Sequence, residues 1–304
     1  MQPLVSAITP AYNAERFLAA ALDSALAQTL PEVEIVVVDD GSSDGTGAIA
    51  DGYAAAHPQR VRVVHQVNRG LCPARNAAMA VARGKYFALL DADDVWLPQH
   101  LAASVALLER APQLGLVHAN IERIDGDGKP LHVPPRYWRE GDDAFARLLL
   151  REEHVSCPTA VFRRELVDEL GGFDERFNRL GCEDRDLWLR IAARSKLAYV
   201  DEVQARYRLH GKNMSGNVDK MRRARLLLVE KFADTPQGEP LYRRAMAAVH
   251  QGIGDELFNA GKRIAALGAY TKALLRQPSR RACKDVLRCL LRPLPQQRAA
   301  QSHA

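Results

Sequence analysis

The chain has 304 residues, few cysteines and no long apolar run, and these shortages exclude several classes of protein. The five cysteines form no C-x-x-C pair, so we expect neither a disulfide framework nor a zinc knuckle, and a reducing cytoplasm fits. No stretch approaches the roughly 18 consecutive apolar residues of a transmembrane helix. Residues 1–5 also lack the basic start of a secretory signal. We therefore expect a cytoplasmic protein without a membrane span.

Three common motifs of nucleotide-binding and hydrolytic proteins are also missing. The sequence has no G-x-x-x-x-G-K-[ST] loop, and Gly41, Gly45 and Gly47 do not match G-x-G-x-x-G. It has no G-x-S-x-G nucleophile elbow. A P-loop protein, a dinucleotide-binding protein and an α/β-hydrolase are therefore not expected.

The composition is that of a globular protein, but the charge is unevenly spread. Hydrophobic residues make up 47% and charged residues 26%, which excludes a mainly disordered chain. Residues 1–218 carry 25 Lys and Arg against 30 Asp and Glu, whereas residues 219–304 carry 17 against 7. The pattern indicates an acidic body followed by a basic tail.

Hydrophobic periodicity predicts alternating strands and helices over the first 120 residues. The predicted strands are 5–9, 33–38, 61–65, 86–90 and 114–119, and the predicted helices are 14–28, 46–56, 73–83 and 98–110. Asn13 is well placed as the N-cap of the first helix. This alternation predicts an α/β fold with a mostly parallel sheet and helices on both faces.

The pattern loosens after about residue 125 and becomes almost wholly helical near the end. Further predicted strands are 159–163 and 197–208, and further predicted helices are 142–151, 183–194 and most of 219–292. We therefore expect three parts, which are residues 1–120, 121–218 and a basic α-helical region at 219–304.

Acidic residues follow two of the predicted strands, and parallel strands place their carboxyl ends at one edge of a sheet. The six carboxylates expected at this edge are those of Asp39, Asp40, Asp44, Asp91, Asp93 and Asp94. Side-by-side carboxylates repel one another, and hard oxygen ligands suit Mg²⁺ or Mn²⁺. Each segment alone is equally typical of a turn or a helix cap. Together they predict a divalent-cation site.

A longer ordered set of motifs includes these acidic turns. Its segments are residues 5–13, 36–46, 68–71, 74–76, 84–86, 89–94, 171–175, 182–190 and 207–210, with Asn213 and Ser215. The set resembles family 2 of the inverting glycosyltransferases, which have the GT-A fold and include bacterial enzymes of glycan and lipopolysaccharide synthesis. The resemblance covers about residues 3–215, so the basic tail lies outside it.

The resemblance implies a binding site for a nucleotide-sugar in residues 1–120. Pro10, Tyr12 and Asn13 belong to the nucleotide site, with Tyr12 stacking on the base. Asp40 accepts a hydrogen bond from the base, and Asp39 supports the loop or the ribose. Two further residues complete this set: Arg75 lies near the diphosphate, and Asp91 lies nearer the ribose or a metal-bound water.

The resemblance also implies a metal site and a catalytic base. Asp93 is the expected direct ligand of Mn²⁺ or Mg²⁺, with Asp91 and His210 beside it. Asp184 matches the general base, and Glu183 is the fallback. A carboxylate at the start of a helix is also a plain helix-terminal anion, so this role depends on the resemblance.

The resemblance implies a metal-dependent enzyme of the hexosyltransferase class. It would move a sugar from a nucleotide-diphosphate donor, with UDP favoured, to a hydroxyl of a glycan or lipid-linked acceptor. The acceptor half is residues 121–218, where Tyr137 and Trp138 could stack on a sugar or simply pack in a loop. We expect no nucleic acid partner.

Two alternatives stay open. A sugar nucleotidyltransferase usually carries an N-terminal Gly-rich loop with a basic residue, and the segment from Pro10 to Asn13 is not one. A non-catalytic nucleotide-sugar-binding module would not need the intact Asp93 and Asp184.

The basic tail supports a separate hypothesis. Leucines and valines intervene between cations that recur every one to four residues, namely Lys272, Arg276, Arg280, Arg281, Lys284, Arg288 and Arg292. Such a segment could lie as an amphipathic helix on anionic lipid at the inner face of the plasma membrane. It could equally pack as a helix with its arginines in water.

Overall fold

The computed structural model describes residues 2–134, 138, 141, 143–211, 213 and 216–291. Its strands are β1 (Val5–Ala11), β2 (Val33–Asp39), β3 (Val61–His65), β4 (Tyr86–Leu89), β5 (Val95–Trp96), β6 (Leu114–Ile124), β7 (Val161–Arg163) and β8 (Lys196–Arg208). Its helices are α1 (Leu18–Leu26), α2 (Thr46–Ala56), α3 (Leu71–Val81), α4 (His100–Arg110), α5 (Ala144–Leu149), α6 (Arg164–Leu170), α7 (Glu183–Ala192), α8 (Val218–Lys231), α9 (Tyr242–Asn259), α10 (Arg263–Arg276) and α11 (Arg280–Leu291).

The strands form one mixed sheet in the order β3-β2-β1-β4-β7-β6-β8-β5. β1 pairs in parallel with β2 and β4, β2 with β3, and β6 with β8. β7 runs antiparallel to both β4 and β6, and β5 runs antiparallel to β8. The predicted mostly parallel α/β sheet and the helical C-terminal region are confirmed.

The central strands are buried at every position. All residues of β1 and β2 are shielded from solvent, as is usual for central strands that are mostly apolar and covered on both faces. The core cluster joins these strands to α1 and α4 through side chains such as Leu22, Ile35 and Leu101. This rigid centre fixes where the strand ends lie.

The carboxyl ends of β1, β2, β3 and β4 meet at one edge of the sheet. Because β7 is antiparallel to β4, its first residue Val161 lies at the same edge. The short 3-10 turn Cys157–Thr159, just before β7, therefore joins the loops that follow the parallel strands. These segments position the candidate site.

The first helix differs from its prediction. α1 begins at Leu18, and Phe17 at its N-cap makes no side-chain capping bond. Asn13 has a φ of 48° and lies outside the helix. The N-cap prediction for Asn13 was therefore wrong, because its side chain is used to join two loops, as described below.

The chain divides into two compact units, one up to residue 228 and one from residue 229. In the second unit α10 packs against α9 and α11, around Ala266, Tyr270 and Cys289. Gly254 on α9 leaves room for the Tyr270 ring, which a larger side chain would strike. The further division at residue 120 stays a prediction.

Among the helices of the described residues, none has both the length and the apolar character of a bilayer-spanning segment. Tyr137, Ser215 and Arg292, which the sequence analysis singled out, lie outside the described residues.

Two fully buried histidines make the stability of the fold depend on pH. Neither ring nitrogen of His100 or His118 has a hydrogen-bond partner in the described part of the chain, and burial lowers the pKa of each to about 3. Below the ordinary histidine pKa the unfolded chain takes up protons that the folded chain does not. Stability therefore falls as the pH falls, by up to about 1.4 kcal/mol per pH unit for each histidine.

Replacing His118 by Leu should remove one of these contributions. We expect the free energy of unfolding in urea to fall about 1.4 kcal/mol less per pH unit than in the unaltered protein between about pH 6 and about pH 4. His100→Leu should act in the same way and additively. Equal slopes for all three proteins would contradict the account.

Candidate active site

A pocket of about 440 Å³ opens where β1 and β2 end and α3 begins. It is lined by Pro10, Ala11, Tyr12, Asp40, Asn68, Gly70, Leu71, Ala74 and Arg179. Tyr12 is 55% exposed, which suits an aromatic side chain that stacks on a planar ligand. Three of the residues expected at the nucleotide, Pro10, Tyr12 and Asp40, are brought together here.

The Asp40 carboxylate organises the loop that forms one side of this pocket. It accepts hydrogen bonds from the Gln66 side-chain amide at 2.6 Å and from the backbone amides of Arg69 and Gly70 at 2.8 and 2.7 Å. A carboxylate offers about four acceptor positions, so about one remains for a ligand.

Asn13 and Asp39 lie behind the pocket and hold its loops together. Asn13 Oδ1 accepts a hydrogen bond from the Ser43 amide at 2.8 Å. Asp39 Oδ1 accepts one from the Ser42 amide at 3.1 Å, and its Oδ2 lies 3.1 Å from His65 Nδ1. The two side chains thus connect the loops after β1 and β2 to each other and to β3.

Gly41 is required in the turn after β2. Its φ of 72° is a conformation that side-chain-bearing residues rarely adopt, and an added Cβ would lie 2.7 Å from the Asn68 amide nitrogen. The loops that carry Asp40 and Asn68 can therefore approach only with glycine at this position.

The turn after β4 holds the aspartates of the D-x-D motif. Asp93 Oδ2 lies 2.8 Å from His210 Nε2, so the turn meets the segment that follows β8. Burial and the Asp91 charge raise the pKa of Asp93, while His210 opposes the rise. The His210 ring stacks on Phe17 with its centroid 5.1 Å away, which fixes the imidazole in place.

Asp94 secures this turn from within. Its Oδ1 accepts a hydrogen bond from the Arg208 amide at 2.9 Å, and Arg208 Nε donates to the Asp93 carbonyl at 2.9 Å. The side chain is buried, and burial with the charges of Asp93 and Asp91 raises its pKa well above the usual range. Asp94 is thus a positioning residue of the turn.

The six carboxylates expected to share one cation do not form a single cluster. Asp44 accepts bonds from Thr46 at the start of α2, and Asp39, Asp40 and Asp94 are used as described above. Among the described residues no group of three or more His, Cys, Asp or Glu could hold a metal ion. Asp93 and His210 remain, with Asp91 beside them. One or two protein ligands completed by phosphate oxygens is a usual arrangement for Mg²⁺, so this donor set fits a divalent cation.

Arg75 on α3 is a buried cation beneath the site, with 1% of its surface exposed. It donates from Nη2 to Asp91 Oδ1 at 2.7 Å and from Nη1 to Glu183 Oε1 at 2.9 Å. It also donates to Cys157 Sγ at 3.4 Å and lies over the Phe173 ring. Arg75 is thus placed to orient two carboxylates, and its expected contact with a diphosphate stays a prediction.

The two candidate bases occupy the first turn of α7 and differ in surroundings. Glu183 is buried and paired with Arg75, and burial raises its pKa to about 7 although Arg75 opposes the rise. Asp184 is half-buried and accepts a hydrogen bond from the Arg185 amide at 2.7 Å. Burial raises the pKa of Asp184, with Arg75 and Arg185 opposing. Asp184 is therefore the more accessible acid and the stronger candidate.

Sequence reasoning missed Arg179 and Cys157. Arg179 has a φ of 62° and donates to Asn68 Oδ1 at 2.7 Å, which brings its guanidinium to the pocket. Cys157 reaches Arg75 because β7 is inserted between β4 and β6. Neither residue lies in a motif. The signal nearest to Arg179 in the sequence is a pair of glycines, Gly172 and Gly181, which adopt positive φ in the structure and indicate an irregular segment.

Trp138 packs within the protein. Its ring is 9% exposed, with His118 at 4.5 Å and the Arg147 guanidinium at 5.1 Å from it. Of the two hypotheses made from the sequence for Trp138, packing within the protein fits these contacts, and stacking on an acceptor sugar does not.

Comparison with known proteins identifies the family. A family model described as "Glycosyl transferase family 2" matches residues 6–171, which is more than half of the chain. The chain belongs to glycosyltransferase family 2. The family expected from the ordered motifs is thus confirmed.

Individual relatives agree with this assignment. An uncharacterized glycosyltransferase of Nostoc sp. is 32% identical over 69% of this chain, which spans 66% of that relative's length. TarS 1-349 of S. aureus in complex with UDP-GlcNAc is similar with a TM-score of 0.65 and 18% identity over 94% of this chain and 88% of its own. The mannosyltransferase PcManGT of Pyrobaculum calidifontis in complex with GDP-Man and Mn²⁺ is similar with a TM-score of 0.64 and 23% identity over 95% and 79%. The structural likenesses confirm the GT-A fold.

The Arg75 bridge gives a test of how the site is held together. Arg75→Met leaves the Asp91 and Glu183 carboxylates without their cation, and we expect a loss of about 3–5 kcal/mol in the free energy of unfolding near pH 7. The loss should shrink as the pH falls. An uncompensated buried carboxylate has a raised pKa in the folded protein, so the folded state takes up a proton at a higher pH than the unfolded state and is stabilised by it.

Urea unfolding near pH 7 and near pH 5 measures both effects, and Arg75→Met/Glu183→Gln is the matched control. Removing the stranded charge should recover part of the stability and flatten the pH dependence. The bridge is not the source of the loss if the double variant loses at least as much free energy of unfolding as the two single variants added together.

Proposed function

We propose that this protein is a glycosyltransferase that moves a sugar from a nucleotide-diphosphate-sugar, with UDP as the favoured nucleotide, to a hydroxyl of a glycan or lipid-linked acceptor. One observation carries the proposal: the pocket lined by Tyr12 and Asp40 and the Asp93–His210 pair lie where strands of one sheet end, and Arg75 joins Asp91 at this edge to Glu183, the neighbour of Asp184. The family and the donors bound by TarS and PcManGT support it. The five free cysteines fit work in the cytoplasm.

The pocket supports UDP as the nucleotide. Tyr12 offers an exposed ring for stacking, and Asp40 keeps about one acceptor position free. Uracil presents a single ring N–H, which this one position matches. Arg179, which lines the same pocket, adds a positive charge that suits the diphosphate of such a donor.

Asp93 and His210 would hold a divalent cation, Mn²⁺ or Mg²⁺, with Asp91 held beside them by Arg75. When bound, the cation supplies positive charge that stabilises the departing diphosphate. The raised pKa of Asp93 follows from two neighbouring carboxylates in a buried turn, and a cation would relieve that repulsion.

In the reaction the acceptor hydroxyl oxygen attacks the anomeric carbon of the donor sugar. The bond from that carbon to the diphosphate oxygen breaks, and the nucleoside diphosphate leaves with the electron pair. Asp184 takes the hydroxyl proton, and its burial-raised pKa makes it a better base than an exposed aspartate. A single displacement of this kind inverts the anomeric centre.

Asp184→Asn tests the base. We expect kcat for sugar transfer to fall about 10²–10⁴-fold with little change in donor KM, because the amide cannot take the proton. Product formation from a radiolabelled UDP-sugar and a panel of acceptors measures it. The adjacent Glu183→Gln is the control: a larger loss there than in Asp184→Asn would give the base role to Glu183.

Asp93→Asn tests the metal site. We expect the rate of sugar transfer at saturating Mn²⁺ to fall about 10²–10³-fold, because the cation that stabilises the leaving group loses one of its ligands. A titration of activity with Mn²⁺ measures this. Asp51→Asn, which removes an exposed aspartate paired with His65, should leave the titration unchanged. An unaltered Mn²⁺ dependence in Asp93→Asn would remove Asp93 from the site.

A further inference from the structure

Helix α11 in the second unit has an apolar face that nothing in the described part of the chain covers. Leu287, Leu290 and Leu291 are 52%, 59% and 77% exposed, and Cys283 is exposed one turn before them. Positions three, four and seven apart share one side of a helix, so these four side chains form a continuous strip. We call Cys283, Leu287, Leu290 and Leu291 the leucine strip.

The opposite side of α11 already fills the core of its unit. Cys289 packs against Ala266 and Tyr270 of α10, and Asp285 accepts a hydrogen bond from the Gln251 side chain of α9 at 2.7 Å. The leucine strip is therefore not needed to hold α9, α10 and α11 together. A contiguous exposed apolar strip of this kind is typical of a surface that binds another molecule.

Two cations lie on the same side of α11 as the leucine strip. Arg280 lies two turns before Leu287 and Lys284 two turns before Leu291. Both are exposed, and neither has an ion-pair partner among the described residues. By contrast Arg281 and Arg288 are engaged within the unit, with Asp255 and with the Phe258 ring. The one acidic residue of α11, Asp285, lies on the buried side.

We propose that the leucine strip, with Arg280 and Lys284, docks this protein on the surface of an anionic membrane. The leucines enter the boundary between headgroups and acyl chains, and the two free cations meet lipid phosphates. A helix face that exposes both leucines and cations combines the two contributions to interfacial binding, which are burial of apolar area and attraction to anionic lipid. The cationic character extends through α10 and α11, which carry seven Lys and Arg against one Asp.

A second copy of the chain is the other occupant that an apolar strip could accept. A two-fold dimer through this face would place Arg280 and Lys284 of both copies in one interface, with no carboxylate on the exposed side of α11 to neutralise them. Like charges facing each other at an interface are unfavourable. An anionic surface has the complementary charge, which is why we commit to lipid.

Vesicle flotation with the full chain tests the proposal. We expect the protein to float with phosphatidylcholine vesicles that contain phosphatidylglycerol and to stay unbound with pure phosphatidylcholine. Binding should weaken between about 0.1 M and about 1 M salt, where the screening length falls from about 10 to about 3 Å. No flotation with the anionic vesicles at low salt would overturn the proposal.

Two variants assign the binding to the strip. Leu287→Asn/Leu290→Asn should lower the partition coefficient at least about tenfold, because two leucines no longer enter the apolar boundary. Lys284→Gln should lower it about fivefold on anionic vesicles, the equivalent of about 1 kcal/mol per cation. The replaced side chains are exposed, so thermal unfolding should be unchanged and confirms the fold of each variant.

Matched controls lie in the first unit. Val67→Asn removes an equally exposed apolar side chain and Lys129→Gln an exposed cation, and both should float like the unaltered protein. Flotation that survives the double leucine variant would overturn the assignment to α11. Sedimentation that shows a dimer lost in that variant, without lipid binding, would give the strip to a second copy.

Discussion

The candidate site depends on one buried cation. Arg75 is almost fully enclosed, yet its guanidinium reaches Asp91 after β4 and Glu183 at the start of α7. Two carboxylates in such a place would repel each other and favour protonation if they stood alone. With the guanidinium between them, the two ion pairs hold both carboxylates in place. The turn that holds the D-x-D motif and the helix that carries Glu183 and Asp184 are thereby tied to a single side chain.

The sheet explains why these groups can meet at all. Parallel strands β1 to β4 deliver four loops to one edge, and the antiparallel β7 starts at that edge and supplies Cys157 beside Arg75. Asp40, Asn13 and Asp39 accept hydrogen bonds from backbone amides of neighbouring loops. The bonds to the carboxylates of Asp40 and Asp39 are stronger than bonds between neutral groups, so the loops around the pocket are held before any ligand arrives.

Local signals in the sequence were enough for the strands and for the residues at their ends. Hydrophobic periodicity and runs of β-branched residues identified β1 to β4, and the acidic turns after β2 and β4 pointed to the edge of the sheet where the pocket opens. The N-cap prediction for Asn13 was wrong because an asparagine that caps a helix and one that joins two loops both accept hydrogen bonds from backbone amides. The positive φ of Asn13, which the sequence does not show, distinguishes the two roles. Arg179, Cys157 and the burial of Arg75 depend on contacts across 82 to 111 residues, which no local pattern contains.

The central claim is that the Tyr12–Asp40 pocket and the Asp93–His210 pair form one donor site for a nucleoside diphosphate and a divalent cation. Thermal unfolding with UDP, in the presence and absence of Mn²⁺, tests it most directly. Because a ligand near 100 times its Kd stabilises a fold by about 2.7 kcal/mol, UDP with Mn²⁺ should raise the Tm by several degrees. UDP or Mn²⁺ alone should raise it much less. No shift with the pair, or a shift by UDP that Mn²⁺ does not change, would contradict the account.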